Sequence, residues 1–142
     1  MALPAALALV TLGVSDVAKA KEFYTALGFS VALEDQDYAV LRTAGSLVAL
    51  YPESRLADDA GLPLRAGADF RGVSLAVNVA SPADVDAALE HAVGCGGRLL
   101  RAGHEEFWGG YSGYFADPDG HAWEVAHNPA WPLRPDGMPE LP

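Results

Sequence analysis

Residues 109–129 read GGYSGYFADPDGHAWEVAHNP and contain the clearest turn signal of the chain. Two short apolar runs, Tyr111–Ala116 and His121–Ala126, flank the tetrad Asp-Pro-Asp-Gly at 117–120. Proline fixes φ early in a tight turn, and glycine accepts a positive φ late in it. The stretch therefore predicts a β-hairpin.

Glu124 is a single carboxylate inside the apolar second strand of this hairpin. Burying a charge without a partner costs several kcal/mol, roughly. Glu124 therefore faces water, or it faces a cavity, a metal or a hydrogen-bond network. A carboxylate on a cavity wall can act as a base, an acid or a hydrogen-bond acceptor, which makes Glu124 the candidate catalytic residue. The alternative is a structural glutamate bonded to a neighbouring tyrosine or to the backbone.

Composition limits the classes of function open to this chain. Its 142 residues, 51% hydrophobic and 20% charged, suit one compact domain. The formal net charge of −10 argues against binding to nucleic acid or to an anionic membrane, since both need a basic surface. Cys95 is the single cysteine, which excludes an internal disulfide and a cysteine-based zinc site. No stretch is long and apolar enough to span a bilayer and no signal peptide is expected, so we expect a cytoplasmic protein.

The chain repeats one pattern, β-α-β-β-β, in its two halves. The first half has a helix over Ser15–Leu27 and strands over Ala6–Val14, Phe29–Leu33, Tyr38–Thr43 and Leu47–Tyr51. The second half has a helix that begins at Ser81 and ends at Gly94, and strands over Gly72–Val79, Gly97–Arg101 and the hairpin. Two such short units usually complete each other's core.

The predicted fold is α+β, with two tandem βαβββ modules that form curled mixed sheets around a shared cavity. We expect one domain in which module one covers about 5–51 and module two about 70–128. Residues 52–69 are rich in proline and glycine and are predicted to be a linker with one helical turn. Residues 129–142 hold five of the ten prolines and are predicted to be an extended arm.

The doubled pattern, together with Phe115, the run Asp117–His121 and the following Glu124, resembles the vicinal oxygen chelate superfamily. This is the glyoxalase, bleomycin-resistance and extradiol-dioxygenase-like group. The resemblance covers about residues 5–128 and includes the helix opening Val14–Asp16. It implies paired modules, each a half-open sheet curled around a cavity, and it implies a homodimer.

The resemblance also implies four metal-ligand positions, one each on strands one, four, five and eight. Carried over to this chain, they fall on Leu9, Leu50, Ser74 and Glu124. Leucine cannot coordinate a metal, and a neutral serine hydroxyl is a poor ligand for a divalent cation. We therefore expect no metal and no other cofactor. A separate metal site formed by His104, Glu106 and Glu124 stays open as an alternative.

The remaining candidates are ligand-binding residues. Ser74 and Asn78 lie on the polar side of strand five and are hydrogen-bonding groups if that side lines the cavity. Trp108 and Tyr111 belong to a glycine-rich aromatic segment that is expected at the cavity mouth. Leu9 and Leu50 would then be apolar wall residues at former metal positions.

Three functions remain compatible with the sequence. The first is the binding of a small organic molecule without a metal, for which an acidic, aromatic-lined cavity suits cationic or planar aromatic ligands. The second is a lyase, isomerase or dioxygenase-type enzyme that acts on a small carbonyl or aromatic compound through Glu124. The third is a non-catalytic regulatory domain whose cavity is filled by side chains.

Overall fold

A computed structural model describes residues 2–64 and 69–142, which form two compact units within residues 1–65 and 66–142. The predicted repeat of β-α-β-β-β is confirmed, with one further short helix between the two halves. The elements are β1 Leu9–Val14, α1 Val17–Leu27, β2 Ser30–Asp35, β3 Tyr38–Arg42, β4 Leu47–Pro52, α2 Glu53–Ala60, β5 Ser74–Asn78, α3 Pro82–Gly94, β6 Arg98–Glu105, β7 Tyr111–Ala116 and β8 Ala122–His127.

The predicted linker is partly helical. Helix α2 occupies the position of the expected helical turn, and it ends at Gly61 in the left-handed conformation. Residues 65–68 of the linker lie outside the described residues. In the arm after residue 128, Leu133 and Pro139 form an isolated antiparallel bridge. No helix within the described ranges has the length and apolarity that crossing a membrane requires.

The first unit is a four-stranded mixed sheet in the order β1-β4-β3-β2. Strands β1 and β4 run parallel, and the other neighbouring pairs run antiparallel. Helix α1 buries Ala20, Phe23 and Tyr24. It begins two residues after the predicted start at Ser15, because the side chain of Asp16, not Ser15, accepts the Lys19 N–H at 3.1 Å and forms the N-cap.

The second unit repeats this arrangement in the order β5-β8-β7-β6, with β5 and β8 parallel. The predicted start of helix α3 is confirmed, since the Ser81 hydroxyl accepts the Asp84 N–H at 3.1 Å and proline follows the cap. Helix α3 buries Val85, Leu89 and Ala92. Strand β6 extends four residues past its predicted end at Arg101.

The two faces of the second sheet differ sharply in chemistry. One face packs on α3 and carries Phe115 and Trp123, whose rings stack with centroids 6.2 Å apart, and the buried Val125. Because side chains alternate along a strand, Ala122, Glu124 and Ala126 point to the other side, which we call the Glu124 face.

The turn between β7 and β8 fixes which side chains of the hairpin point to each face of the sheet. Asp117 is only 3% exposed, and its Oδ1 accepts the N–H groups of Asp119 at 3.0 Å and His121 at 2.8 Å. Gly120 has φ 87°, which a residue with a side chain rarely adopts. The turn therefore sets the hairpin register in which Tyr114 pairs with Glu124.

We expect Gly113→Ala to destabilise the protein by about 1–3 kcal/mol, because overpacking of a well-packed contact costs that much. A β-carbon at Gly113 would lie 2.5 Å from Leu89 Cδ1 and 2.8 Å from the carbonyl oxygen of Arg101, and the backbone atom cannot swing away. The measurement is the free energy of unfolding in urea.

Gly94→Ala is the matched control for this substitution. A β-carbon at Gly94, in α3, meets no heavy atom within 4 Å, and alanine favours a helix over glycine by up to about 1 kcal/mol. An equal loss of stability in the two variants would contradict the packing of β7 on α3.

Candidate functional site

Glu124 lies at the centre of the face that bears its name. Its neighbour on β7 is Tyr114, and its neighbour on β5 is Ala76. The Glu124 and Tyr114 side chains are half-buried, while Ala76 is exposed. Glu124 is therefore partly removed from water and still accessible from outside.

Tyr114 is the direct partner of Glu124. Burial raises the pKa of the Tyr114 hydroxyl above its ordinary value, and the charge of Glu124 and a hydrogen bond to Glu124 raise it further. A smaller contribution in the same direction comes from Glu106, and the positive charge of Arg101 on β6 acts in the opposite direction. The phenol is therefore neutral at physiological pH and donates to the carboxylate. This contact is the one that the structural alternative for Glu124 expects, a glutamate bonded to a neighbouring tyrosine, and the half-buried carboxylate is also accessible from outside.

Ser74 and Asn78 lie on the same face as Glu124. In the parallel register they pair with Ala122 and Ala126, the residues two positions before and after Glu124. Ser74 is exposed, and Asn78 is half-buried. Because strands in a sheet are about 4.8 Å apart, these hydroxyl and amide groups border the carboxylate.

Tyr111 and Trp108 lie apart from this group. The Tyr111 hydroxyl donates to Asp86 Oδ1 on α3 at 2.9 Å, so the ring lies on the helix side of the sheet. Trp108 is 40% exposed in the turn between β6 and β7, where its ring covers Gly110 beside the carbonyl of His127. Of these two residues, only Trp108 is exposed in the turn between β6 and β7, and Tyr111 lies on the side of the sheet that faces α3.

The positions carried over to the first sheet need one correction. Leu9 pairs with Leu47, whereas Leu50 pairs with Leu12, so Leu9 and Leu50 lie on opposite faces. Leu50 is 0% exposed and belongs to the core. In the second unit Ala76 pairs with Glu124, and the corresponding pair in the first unit is Thr11 with Ala49. Ala49, not Leu50, is therefore the counterpart of Glu124.

The donor set at the four family positions does not fit a metal ion. With the correction, the positions hold Leu9, Ala49, Ser74 and Glu124, which together supply one carboxylate and one hydroxyl. A divalent cation needs several convergent oxygen, nitrogen or sulfur ligands. Within residues 2–64 and 69–142, no three histidine, cysteine, aspartate or glutamate side chains are arranged to hold a metal.

The same finding applies to the alternative metal site of His104, Glu106 and Glu124, which are not arranged to hold a metal together. Two of the three residues do meet, because His104 Nε2 lies 2.9 Å from Glu106 Oε1. Glu106 Oε1 also accepts the hydroxyl of Ser112 at 2.7 Å. Ser112 is fully buried two residues from Tyr114 on β7 and points to the Glu124 face. The structure therefore forms a polar row across the sheet, from β6 to β8.

Sequence reasoning did not single out Tyr114 and Ser112 as members of this row. The signal was available in the hairpin, because counting outward from the turn at Asp117–Gly120 pairs Tyr114 with Glu124. Ser112 then lies on the same face by alternation.

One concavity of the second unit lies away from this row. It has a volume of about 320 Å³ and lies between α3 and β6, lined mainly by apolar side chains such as Leu89, Val93 and Leu99. It is on the helix side of the sheet, whereas the polar row is on the Glu124 face. We therefore take the Glu124 face as the candidate functional site.

The pKa values of Tyr114 and Tyr111 test whether these two side chains lie on opposite faces of the sheet. The pKa of Tyr111 is also raised, chiefly by the hydrogen bond to Asp86. We expect Glu124→Gln to lower the pKa of Tyr114, because the nearby negative charge no longer opposes the phenolate, while the burial contribution remains. Asp86→Asn should lower the pKa of Tyr111 alone. The measurement is a pH titration of tyrosine Cζ shifts by ¹³C NMR, and an unchanged Tyr114 in Glu124→Gln would contradict the pairing.

Solved structures show the same architecture. A glyoxalase-related enzyme from Fulvimarina pelagi is 32% identical, with a TM-score of 0.87 over 97% of this chain and 99% of its own. A glyoxalase/bleomycin resistance protein/dioxygenase from Nocardioides is 25% identical, with a TM-score of 0.74 over 89% and 85% of the two chains. A family enzyme from Burkholderia phytofirmans is 21% identical, with a TM-score of 0.75 over 87% and 98%, which shows likeness of fold alone.

No curated protein matches the sequence. The family description "Glyoxalase/Bleomycin resistance protein/Dioxygenase superfamily" matches residues 6–125, which is most of the chain. The match spans both modules and ends just after Glu124. The chain therefore belongs to the glyoxalase/bleomycin resistance protein/dioxygenase superfamily.

Proposed function

We propose that this protein binds a small organic cation on the Glu124 face of its second sheet, without the metal of its family. The observation that carries the proposal is the half-buried Glu124 carboxylate, which receives a hydrogen bond from Tyr114 and has exposed neighbours on β5. A partly desolvated carboxylate interacts with a cation more strongly than a fully hydrated one does.

The surroundings of Glu124 suit an organic ligand. The Tyr114 ring lies beside the carboxylate in the register and offers an aromatic surface, and a cation over such a ring gains about 0.5–2 kcal/mol. Ser74 and Asn78 add hydrogen-bonding groups on the adjoining strand. The net charge of −10 raises the local concentration of cations around the protein.

The metal-free part of the proposal rests on the donor set. Leu9 and Ala49 have no atoms that coordinate a metal, and Ser74 is a poor replacement for a histidine or a carboxylate. In this proposal Glu124 is retained as a ligand anchor. The homodimer and the cytoplasmic location expected from the sequence stay predictions.

The test compares benzylamine with benzyl alcohol, which has the same ring and no charge. We expect benzylamine to bind the wild-type protein at least tenfold more tightly, and Glu124→Gln to remove that difference, since a hydrogen bond to a charged group contributes about 1.5–3 kcal/mol. The measurement is a titration of amide shifts by NMR.

Glu90→Gln is the control, because it makes the same change of charge on α3, behind the sheet. It should leave both affinities unchanged. Thermal unfolding followed by circular dichroism should show that Glu124→Gln folds as the wild-type protein does. Equal binding of the two probes, or an equal effect of the two substitutions, would contradict the proposed function.

A further inference from the structure

The concavity between α3 and β6, on the helix side of the second sheet, is not used by the proposed function. Its volume of about 320 Å³ is near the lower limit for a binding pocket. Its apolar wall includes Val93 and Leu99, which are 44% and 47% exposed. Exposed apolar side chains grouped around one concavity are typical of a surface that a partner covers.

Carboxylates surround this apolar wall. Asp86 and Glu90 of α3 line the concavity, and both are exposed. Glu105 lies on the same side of the sheet, because it pairs with Tyr111, whose hydroxyl donates to Asp86. The pKa of the Tyr111 hydroxyl is raised chiefly by the hydrogen bond to Asp86, and the charges of Asp86 and Glu105 raise it further. Both carboxylates are therefore close to this hydroxyl.

The negative charge of this surface is not neutralised by ion pairs. Within residues 2–64 and 69–142, no lysine or arginine pairs with Asp86, Glu90 or Glu105. None of the described residues that line the concavity is basic. The surface thus suits a partner that presents an apolar side chain next to a cationic one. A second copy of this chain fits poorly, because each copy has a formal net charge of −10.

Strand β6 borders the concavity with a free edge. It is the last strand in the order β5-β8-β7-β6, so one side of its backbone has no strand partner within the described part of the chain. Residues Arg98–Ala102 of this strand are exposed. An extended peptide can bind such an edge through backbone hydrogen bonds and place alternate side chains against the adjoining surface. Register shifts on both sides of Arg101 limit this pairing to a short stretch.

We propose that the surface between α3 and β6 binds a short extended segment of a partner protein, in which a lysine or arginine lies next to an apolar side chain. The apolar side chain occupies the concavity, and the cationic one pairs with the surrounding carboxylates. This inference concerns the helix side of the sheet and does not depend on the proposed function.

The probe is the capped peptide acetyl-Lys-Leu-Leu-Lys-amide, titrated into the full chain and followed by amide shifts in NMR. Two comparison peptides replace its leucines with glycine or its lysines with glutamate. We expect the probe to bind at least tenfold more tightly than either, because burial of one leucine side chain contributes about that factor and like charges repel. The largest shift changes should fall on Val93, Leu99 and Ala102.

The decisive variant is Val93→Lys, which places a positive charge on the apolar wall. It should weaken binding of the probe at least tenfold. Lysine is a good helix former and Val93 is partly exposed, so the variant should fold, which circular dichroism checks. Ala87→Lys is the matched control, because Ala87 is exposed on α3 and is not among the lining residues. It should have little effect at physiological ionic strength, since separated exposed charges are screened.

A second pair of variants keeps this proposal separate from the proposed function. Glu90→Gln should weaken binding of the probe about two- to fivefold, which is what one exposed ion pair contributes. Glu124→Gln makes the same change of charge on the opposite face and should leave binding of the probe unchanged. An equal loss in these two variants would contradict binding on the helix side, whatever the result with benzylamine.

Three further results would overturn the proposal. The first is an equal effect of Val93→Lys and Ala87→Lys, which general charge repulsion would explain. The second is equal binding of the probe and either comparison peptide, because the concavity or the carboxylates would then be unused. The third is self-association of the wild-type chain, measured by sedimentation, that Val93→Lys abolishes, since the occupant would then be a second copy.

Discussion

The register of the β7–β8 hairpin is the constraint on which the rest of the second unit depends. The buried Asp117 carboxylate accepts two backbone N–H groups of the turn and sets that register. A slip of one residue would turn Glu124 into the core and Trp123 out of it, at a cost of several kcal/mol, roughly. The same turn thus fixes both the packing on α3 and the polar row on the opposite face.

The two halves of the chain have the same order and pairing of strands, but their side chains differ at equivalent positions. In each unit the first and fourth strands are parallel, and the helix after the first strand, α1 or α3, begins at a side-chain N-cap. The pair formed by Ala76 and Glu124 has Thr11 and Ala49 as its counterpart, so the first sheet has no carboxylate at that position. The candidate site accordingly lies in the second unit, where Tyr114 is bonded to Glu124 and Ser112 to Glu106.

Much of the fold was predictable from local signals. The cap at Ser81, the turn at Asp117–Gly120 and the apolar alternation of β5 each identified an element close to its observed bounds. Leu50 was misplaced by one residue because a uniformly apolar strand such as β4 gives no alternation from which to read its faces. That ambiguity is expected for strands buried on both sides.

The site was less predictable than the fold, because its members depend on pairing across strands. The sequence made Glu124, Ser74 and Asn78 candidates, and the structure places them on one face, but the sequence gave no reason to separate Tyr114, beside the carboxylate, from Tyr111, behind the sheet. Likewise, the contact of Glu106 with Ser112 depends on the turn between β6 and β7 and not on residue spacing alone.

Mapping of amide shifts shows directly whether ligands bind on the Glu124 face. In a titration of the full chain with benzylamine, we predict that the largest shift changes fall on Ala76, Ser112, Tyr114 and Glu124. Shift changes centred on Leu89, Val93 and Leu99, which line the concavity between α3 and β6, would contradict binding on the Glu124 face.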